Sequence, residues 1–183
     1  MTGKHITTGS PIIIHGDRLH ISVNDGDGGV YGRWFEIIRR TPIKTKGQGT
    51  KMRLTMEGIE RHLQKIFYAK PHDFSTPKQV IIDIINHYND NKGSLLPTVT
   101  IGTNELPDKG VFRYDFGLNE DTCWNRIYEV IESMGSAGTS GGVLDFFEAH
   151  WVTTGVNSLT LNITSSGSTG SGVIISSDNH TRS

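Results

Sequence analysis

The sequence contains a single cysteine, Cys123, and lacks any long apolar run. One cysteine excludes an internal disulfide and a cysteine-rich zinc site. No stretch approaches the ~20 apolar residues of a membrane-spanning helix, and the first ten residues lack the apolar segment of a signal peptide. These absences predict a protein that is made in the cytoplasm and has no membrane partner.

An excess of one charge sign is also missing. The chain has 183 residues, of which 18 are basic and 19 acidic, giving a net charge of −1. Such a balance predicts no strong overall attraction to nucleic acid or to an anionic membrane. The length fits one ordinary domain with its own hydrophobic core.

The composition changes near Trp151. From Thr153 onward Ser, Thr, Gly and Asn dominate, with no Lys and one Arg. We therefore expect a body over residues 1–151 and a Ser/Thr/Gly-rich tail over 152–183 with one or two short strands. The alternating Leu159, Leu161 and Ile163 mark the first of these. The tail is expected either to dock on the body or to lead into a further module.

Apolar periodicity assigns strands to the first third of the body. Leu19, Ile21 and Val23 alternate with polar residues, which predicts a strand. The segments "VYGRWFEIIRR" and "GTKMRLTMEG" predict two more strands, paired as an antiparallel hairpin through the long loop "TPIKTKGQG".

Three helices are predicted in the middle of the chain. The first has Ile59, Leu63, Ile66 and Phe67 on one face. The second begins with a capping box at Thr76, Pro77 and Gln79. Its buried stripe is Val80, Ile81, Ile84, Ile85 and Tyr88.

The third helix is predicted around the cysteine, in "GLNEDTCWNRIYEVIESMG". Asn119 is its expected N-cap, and Glu120 and Asp121 place negative charge at the positive end of the helix dipole. Gly135 is its expected stop. Its apolar face is Trp124, Ile127, Tyr128, Ile131 and Met134.

The remaining strands are predicted in "PTVTIG", "GVFRYDFG" and "VLDFFEAHW". The order of strands, two helices, strands, one helix and strands predicts an α+β fold with a mostly antiparallel sheet, not an alternating Rossmann-type fold.

Candidate catalytic and metal sites each have a structural interpretation that is favoured. A Cys123 nucleophile needs a lowered pKa and a base, and the adjacent acids oppose ionisation, so we expect a packing role. A calcium loop at Asp25, Asp27 and Glu36 lacks the ligand at Gly29 and has Val30 where glycine is required. We predict no catalytic residue, no metal site and no cofactor.

Histidines and acid pairs also lack a recognisable signature. His15 and His20 would face opposite sides of one strand, as would Asp145 and Glu148. Other histidines, such as His87 and His150, stand without partners in the sequence.

A basic segment is the main candidate for binding. Six cations and no acid lie within 15 residues. The structural interpretation is a solvated hairpin tip, and the functional one is a surface that meets the phosphates of DNA or an acidic partner subunit. The six residues are Arg39, Arg40, Lys44, Lys46, Lys51 and Arg53.

Three segments resemble a known family. "MRLTMEGIERHLQKIFYAKPHDFSTPKQVIIDIINHYN" resembles the strand, short helix and capped helix of bacteriophage tail-tip and baseplate hub proteins, which are related to the base of type VI secretion spikes. "RYDFGLNEDTCWNRIYEVIESMG" with "GGVLDFFEAHW" is similar to the passage that follows, and "GDRLHISV" with "YGRWFEIIRR" to the paired strands in front. The resemblance covers residues 12 to 151 and rests on structural patterns.

The resemblance implies a fold and a role. It implies a barrel-like, mostly antiparallel sheet with about three packed helices, and a structural virion component without enzyme activity in this region. Such hubs assemble as trimers at the end of the tail tube and link it to baseplate, spike or fibre proteins, with transient contact to phage DNA. The alternatives are a glycan-degrading enzyme domain, which requires two carboxyl groups in one cleft, and a carbohydrate-binding module with exposed Trp34 or Trp151.

Overall fold

The computed structural model describes residues 16–24, 26, 30–45, 49–109, 112–116, 120–135 and 147–165. The strands and helices are β1 (Arg18–Asn24), β2 (Val30–Thr45), β3 (Gly49–Gly58), a 3₁₀ helix (Ile59–Lys65), β4 (Phe67–Tyr68), β5 (His72–Ser75), α1 (Pro77–Asn91), β6 (Thr98–Asn104), β7 (Phe112–Tyr114), β8 (Asp121–Thr122), α2 (Cys123–Gly135), β9 (Phe147–Gly155) and β10 (Ser158–Ser165).

The strands form two three-stranded sheets and two short ribbons within the described residues. One sheet has the order β1-β2-β3 and the other β6-β10-β9, while β4 pairs with β8 and β5 with β7. All pairs are antiparallel except β6 with β10. The predicted α+β class with mostly antiparallel pairing is confirmed. No sheet of the described residues closes into the barrel that the resemblance implies.

The core lies between the two α-helices and the sheet β6-β10-β9. The two helices pack against each other. Helix α1 also packs against β6, and helix α2 also packs against β9 and the 3₁₀ helix. β10 is central, and its Leu159, Leu161 and Ile163 are fully buried. β10 therefore joins residues on both sides of the boundary predicted at Trp151 in one sheet, while residues 166–183 lie outside the described residues.

Helix α1 forms where its sequence predicts. Thr76 accepts a hydrogen bond from the backbone N–H of Gln79 at 3.2 Å, and Pro77 occupies the first turn. The Gln79 side chain donates to Asp83 instead of closing the capping box. All five residues of the predicted stripe are buried.

Helix α2 begins later than predicted. Asp121 and Thr122 pair with β4, and the Thr122 hydroxyl accepts from the N–H of Asn125 at 3.2 Å, so Thr122 caps the helix. Asn119 lies outside the described residues. Of the predicted apolar face, Ile127, Ile131 and Met134 are buried, while Trp124 and Tyr128 are half-buried. The described part of the helix includes Gly135, and the residues that follow lie outside the described ranges.

The first predicted helix is a shorter element. A 3₁₀ helix ends at Lys65, and the chain then extends into β4. Ile59 and Leu63 are buried as predicted, but Ile66 is half-buried and Phe67 is 57% exposed. The prediction of an α-helical face is wrong because pairing of β4 with β8 draws Phe67 into a strand.

Candidate functional site

The predicted basic hairpin is a two-stranded arm. β2 continues to Thr45 and β3 starts at Gly49, so most of the segment predicted as a loop is paired strand. β1 pairs with β2 only as far as Glu36, whereas β3 pairs with β2 out to Thr45. We call residues 38–56 the arm. Each of its strands extends roughly 25 Å at ~3.3 Å per residue.

The arm contributes nothing to the core. None of its described side chains is buried, and β3 packs chiefly against β2. Pro42 is tolerated because β2 has no second neighbour beyond Glu36 among the described strands. A proline also blunts that open edge, since it has no backbone N–H to offer another strand.

The register sorts the arm's side chains onto two faces. Residues paired across an antiparallel ladder project to the same side. Arg39, Lys51 and Arg53 share one face, because Arg39 pairs with Thr55, Ile43 with Lys51 and Thr41 with Arg53. We call this the basic face, and its three cations are exposed.

The opposite face is mixed. Arg40 pairs with Leu54 and Pro42 with Met52, and Met52 is 51% exposed. We call this set of four residues the mixed face. Lys44 pairs with Thr50 in the backbone register, and Lys46 lies outside the described residues. The structure thus brings three of the six predicted cations together and places Arg40 on the other side.

A buried ionic cluster lies at the base of the arm. Glu36, 8% exposed, accepts hydrogen bonds of 2.6 Å from Arg61 and from Nε2 of His62, and Arg18 lies 3.6 Å away. Arg18 also donates to the carbonyl oxygens of Val156 at 2.7 Å and Leu95 at 3.0 Å, and to the Asn157 side chain. These bonds join β1, β2, the 3₁₀ helix and the turn between β9 and β10.

The protonation of this cluster follows from burial and pairing. Burial raises the pKa of Glu36, but the hydrogen bonds from His62 and Arg61 outweigh it and leave that pKa below its ordinary value. Burial lowers the pKa of His62, and the bond to Glu36 opposes this only in part. At neutral pH Glu36 is charged and His62 is neutral, so Nε2 carries the proton that is donated.

A cleft of about 490 Å³ opens beside the cluster. Its polar floor includes Arg18, Glu36 and His62, and Leu95, which is 82% exposed, stands on its rim. The floor's charged groups already bond to one another and to backbone carbonyls. Their arrangement fixes the base of the arm.

A second buried chain of polar groups involves Tyr68, His72 and Asp83. The Tyr68 hydroxyl lies 2.7 Å from Nε2 of His72, whose Nδ1 is 3.7 Å from Asp83. Burial raises the pKa of Tyr68 and lowers that of His72. Tyr68 is 1% and His72 4% exposed, whereas the Asp83 side chain is 25% exposed.

Cys123 is a core residue. It is fully buried, and its backbone N–H donates to the carbonyl of Ile66 at 2.8 Å. Burial raises the pKa of the Cys123 thiol to about 12, which keeps it protonated and unreactive.

The structure describes only some of the residues in the calcium-loop pattern and in the histidine and acid pairs. Glu36 belongs to the ionic cluster, while Asp25, Asp27, His15 and Asp145 lie outside the described residues. His87 bonds the Phe67 carbonyl at 2.9 Å, and His150 lies 3.6 Å from Glu148. Within the described ranges, no group of three or more His, Cys, Asp or Glu side chains is arranged to hold a metal ion.

The tryptophans bear on carbohydrate binding. Trp34 and Trp151 are half-buried and pack against the core, and Trp151 stacks on Trp124 with ring centroids 5.5 Å apart. They do not form an exposed aromatic row, which counts against a carbohydrate-binding module. Glu57 and Glu60 line one shallow cavity of about 310 Å³ with Trp124, but Glu57 pairs with Arg61 and Glu60 with Arg33.

Sequence reasoning missed the ionic cluster and the Tyr68–His72 pair. The ionic cluster depends on pairing between elements, since Arg18 and Glu36 meet through the register of β1 and β2. Tyr68 and His72 are only four residues apart, but they belong to the short strands β4 and β5, which the sequence patterns did not predict. A local signal existed at Glu36, which is a charge between the apolar Phe35 and Ile37 in a predicted strand.

Comparisons with protein-family models, with curated proteins and with solved structures find no match. Neither α1, α2 nor any other helix among the described residues is long and apolar enough to cross a membrane.

Proposed function

We propose that this chain is a structural virion component, a phage tail-tip or baseplate hub domain. In this role it assembles, as a trimer, at the end of the tail tube and links the tube to spike or fibre proteins. The observation that carries the proposal is the arm, which extends from a small body and exposes both of its faces.

An extended two-stranded ribbon favours assembly on physical grounds. A two-stranded hairpin is at best marginally stable in water without further packing. None of the arm's described side chains is fully buried within the chain, although the base of the arm is fixed by the Glu36 cluster. A rigid base with an exposed ribbon is the arrangement expected of an element that packs against another protein.

The resemblance to tail hub proteins supports the more specific part of the proposal. It rests on a strand, a short helix and a capped helix in that order. β3, the 3₁₀ helix and α1 occur in the same order, with the short strands β4 and β5 between the last two. The buried titratable groups at Glu36, His62, Tyr68 and His72 are bonded within the fold, as in a protein whose polar interior serves stability.

The first test is the mass of the purified chain in solution. Light scattering coupled to gel filtration should give a discrete mass of three chains, and electron microscopy should show closed particles. A chain that stays monomeric at the highest soluble concentration contradicts self-assembly.

The second test addresses the location. Gold-labelled antibody against the chain should decorate purified virions of the encoding phage at the tip of the tail. Labelling elsewhere, or of no particle, contradicts a role as a tail-tip hub even if the chain forms a trimer.

A glycan-degrading activity is the second candidate, favoured by the cavity that Glu57 and Glu60 share with Trp124. Retaining and inverting glycosidases both need two carboxyl groups facing one cleft. The turbidity of a bacterial cell-wall suspension should fall when the wild-type chain is added and should not fall when the Glu60→Gln variant is added. Equal clearance by both proteins, or none by either, contradicts this candidate.

A further inference from the structure

Charge is divided sharply between the arm and the rest of the chain. Residues 38–56 hold six of the 18 basic residues and no acidic residue, a formal charge of +6. The other residues hold 12 basic and 19 acidic residues, a formal charge of −7. A polyanion is therefore attracted to the arm and repelled by the rest of the chain.

The arginines of the basic face differ from those of the body in their ion pairs. Within the described residues, Arg39 and Arg53 form no ion pair with a carboxylate of the chain, and both are exposed. Their guanidinium groups therefore remain available to the anions of a partner. Every described arginine outside the arm, in contrast, lies within 4 Å of a carboxylate; these are Arg18, Arg33, Arg61, Arg113 and Arg126.

The basic face carries its cations in a row. Three successive rungs of the ladder between β2 and β3 lie on this face, and each rung has one cation. Rungs on one face are ~6.6 Å apart, so the row spans roughly 13 Å. Two of the rungs add a threonine, whose hydroxyl is also a group that contacts DNA phosphates. The rungs are Arg39 with Thr55, Arg53 with Thr41, and Lys51 with Ile43.

The shape and composition of the arm favour duplex DNA among the nucleic acids. The major groove of B-DNA is about 12 Å wide and admits a two-stranded β-ribbon. The major groove of an A-form RNA duplex is too narrow and deep for one. Proteins that hold single strands stack the bases on aromatic side chains, and residues 38–56 include no aromatic residue.

We propose that the basic face of the arm binds the phosphates of duplex DNA, with the arm lying along the major groove. Arg39, Lys51 and Arg53 contact phosphate oxygens, and the hydroxyls of Thr41 and Thr55 donate to them. Contacts to phosphates carry no sequence information, so binding is independent of base sequence. The mixed face points away from the DNA. This inference goes beyond the proposed function and does not rest on it, since a single chain has the whole surface.

The first measurement is the salt dependence of binding. Fluorescence anisotropy follows a short labelled DNA duplex of mixed sequence titrated with the full chain. Three phosphate contacts predict a slope of about 2.7 for log Kd against log salt, which raises Kd about fortyfold between 50 and 200 mM salt. No binding at the lower salt concentration, or a Kd that ignores salt, overturns the inference.

Two arginine variants with the same loss of charge test the face. Arg53→Gln removes a cation from the basic face and should raise Kd on the order of tenfold at about 50 mM salt while lowering the slope by about 0.9. The matched control is Arg40→Gln, on the mixed face, which should keep the wild-type slope. Equal losses for the two variants overturn the assignment to the basic face. Circular dichroism checks that both variants are folded.

A charge-conserving variant separates phosphate contact from a structural role. Arg53→Lys keeps the positive charge and should keep the slope, because lysine also binds phosphate as a point charge. If Arg53→Lys loses as much slope as Arg53→Gln, the loss does not come from a phosphate contact and the inference is wrong.

Competitors test the choice of partner. A single strand and an RNA duplex of the same length should each displace the labelled DNA less effectively than unlabelled duplex DNA. Stronger displacement by either one overturns the assignment to duplex DNA. Polyglutamate that competes as well as DNA at equal charge assigns the basic face to acidic protein surfaces and also overturns it.

The outcome is independent of the proposed assembly. A chain that stays monomeric but binds duplex DNA through Arg53 supports this inference and contradicts self-assembly. A trimeric chain that does not bind duplex DNA at low salt overturns this inference and leaves the assembly function standing.

Discussion

The guanidinium of Arg18 donates to the carbonyl oxygen of Val156 at 2.7 Å. This bond joins the first strand of the arm-bearing sheet to the turn between β9 and β10, and the same side chain approaches Glu36. The side chain of Arg18 is 10% exposed. Removing it therefore costs its buried partners more than it would cost exposed groups, because water does not readily replace the lost bonds.

Arg18→Ala should lower the free energy of unfolding by about 3 kcal/mol, because it leaves a buried carboxylate and backbone carbonyls with fewer donors. Urea unfolding followed by tryptophan fluorescence measures this. The matched control is Arg33→Ala, which removes a cation that is 45% exposed and paired with Glu60. It should cost less than about 1 kcal/mol. Equal losses for the two variants would show that Arg18 does not join the two sheets.

Acid should weaken the fold in two stages. Burial holds the pKa of His62 and of His72 below their unfolded value of 6.5. The unfolded chain therefore binds protons more readily, and the stability present above pH 6.5 is lost as the pH falls below it. The pKa of Glu36 is also lowered, so a further loss follows below its unfolded value of 4.5.

The measurement is the urea midpoint between about pH 8 and about pH 3, which covers both stages. His62→Gln should flatten the first stage, since it removes one group that must take up a proton on unfolding. His150→Gln changes a side chain that is 41% exposed and should leave the profile unaltered. A midpoint that stays constant down to pH 5 in the wild type contradicts the neutral state assigned to His62 and His72.

Two buried tyrosines should respond oppositely to loss of the hydroxyl. The Tyr68 hydroxyl bonds His72 at 2.7 Å, whereas that of Tyr88 has no hydrogen-bond partner among the described residues. Tyr68→Phe should destabilise the chain by about 1 kcal/mol, and Tyr88→Phe should be neutral or stabilising. The melting temperatures of the two variants measure this difference. If the Tyr88→Phe protein is less stable than the Tyr68→Phe protein, the hydrogen bonding assigned to the two hydroxyls is wrong.

A chain shortened after residue 151 should not fold. It loses β10, whose Leu159, Leu161 and Ile163 are fully buried. Each contributes roughly 1.5–3 kcal/mol of burial, against a total stability of about 5–15 kcal/mol for a domain. Cooperative thermal unfolding should be absent, while a chain ending after Ser165 should retain it. A cooperative transition in the shorter chain would make residues 1–151 an autonomous domain.

Local signals located α1 and most of the longer strands, but not the pairing of β4 with β8, of β5 with β7 or of β6 with β10. α1 was foreseeable because its cap, its proline and its apolar stripe all act within one segment. The start of α2 was misplaced because pairing of Thr122 with Phe67, far away in sequence, extends the chain just before the helix.

In the arm, amino-acid composition alone predicts the wrong secondary structure. Its proline, lysines and glycines are typical of a loop, yet pairing of Pro42 with Met52 and of Ile43 with Lys51 makes it strand. The basic cluster itself was visible in the sequence. Its division into two faces was not, since that depends on the register and on the irregularity between Ile37 and Arg39.

The parallel pairing of β10 with β6 has a consequence for biosynthesis. Thr100 and Thr160 are 60 positions apart and bond each other at 3.0 Å. The hairpin of β2 and β3 needs only local contacts and can form early, whereas long-range pairing forms slowly. During translation β6 therefore has to wait for β10, and the sheet β6-β10-β9 can form only after Ser165 has left the ribosome.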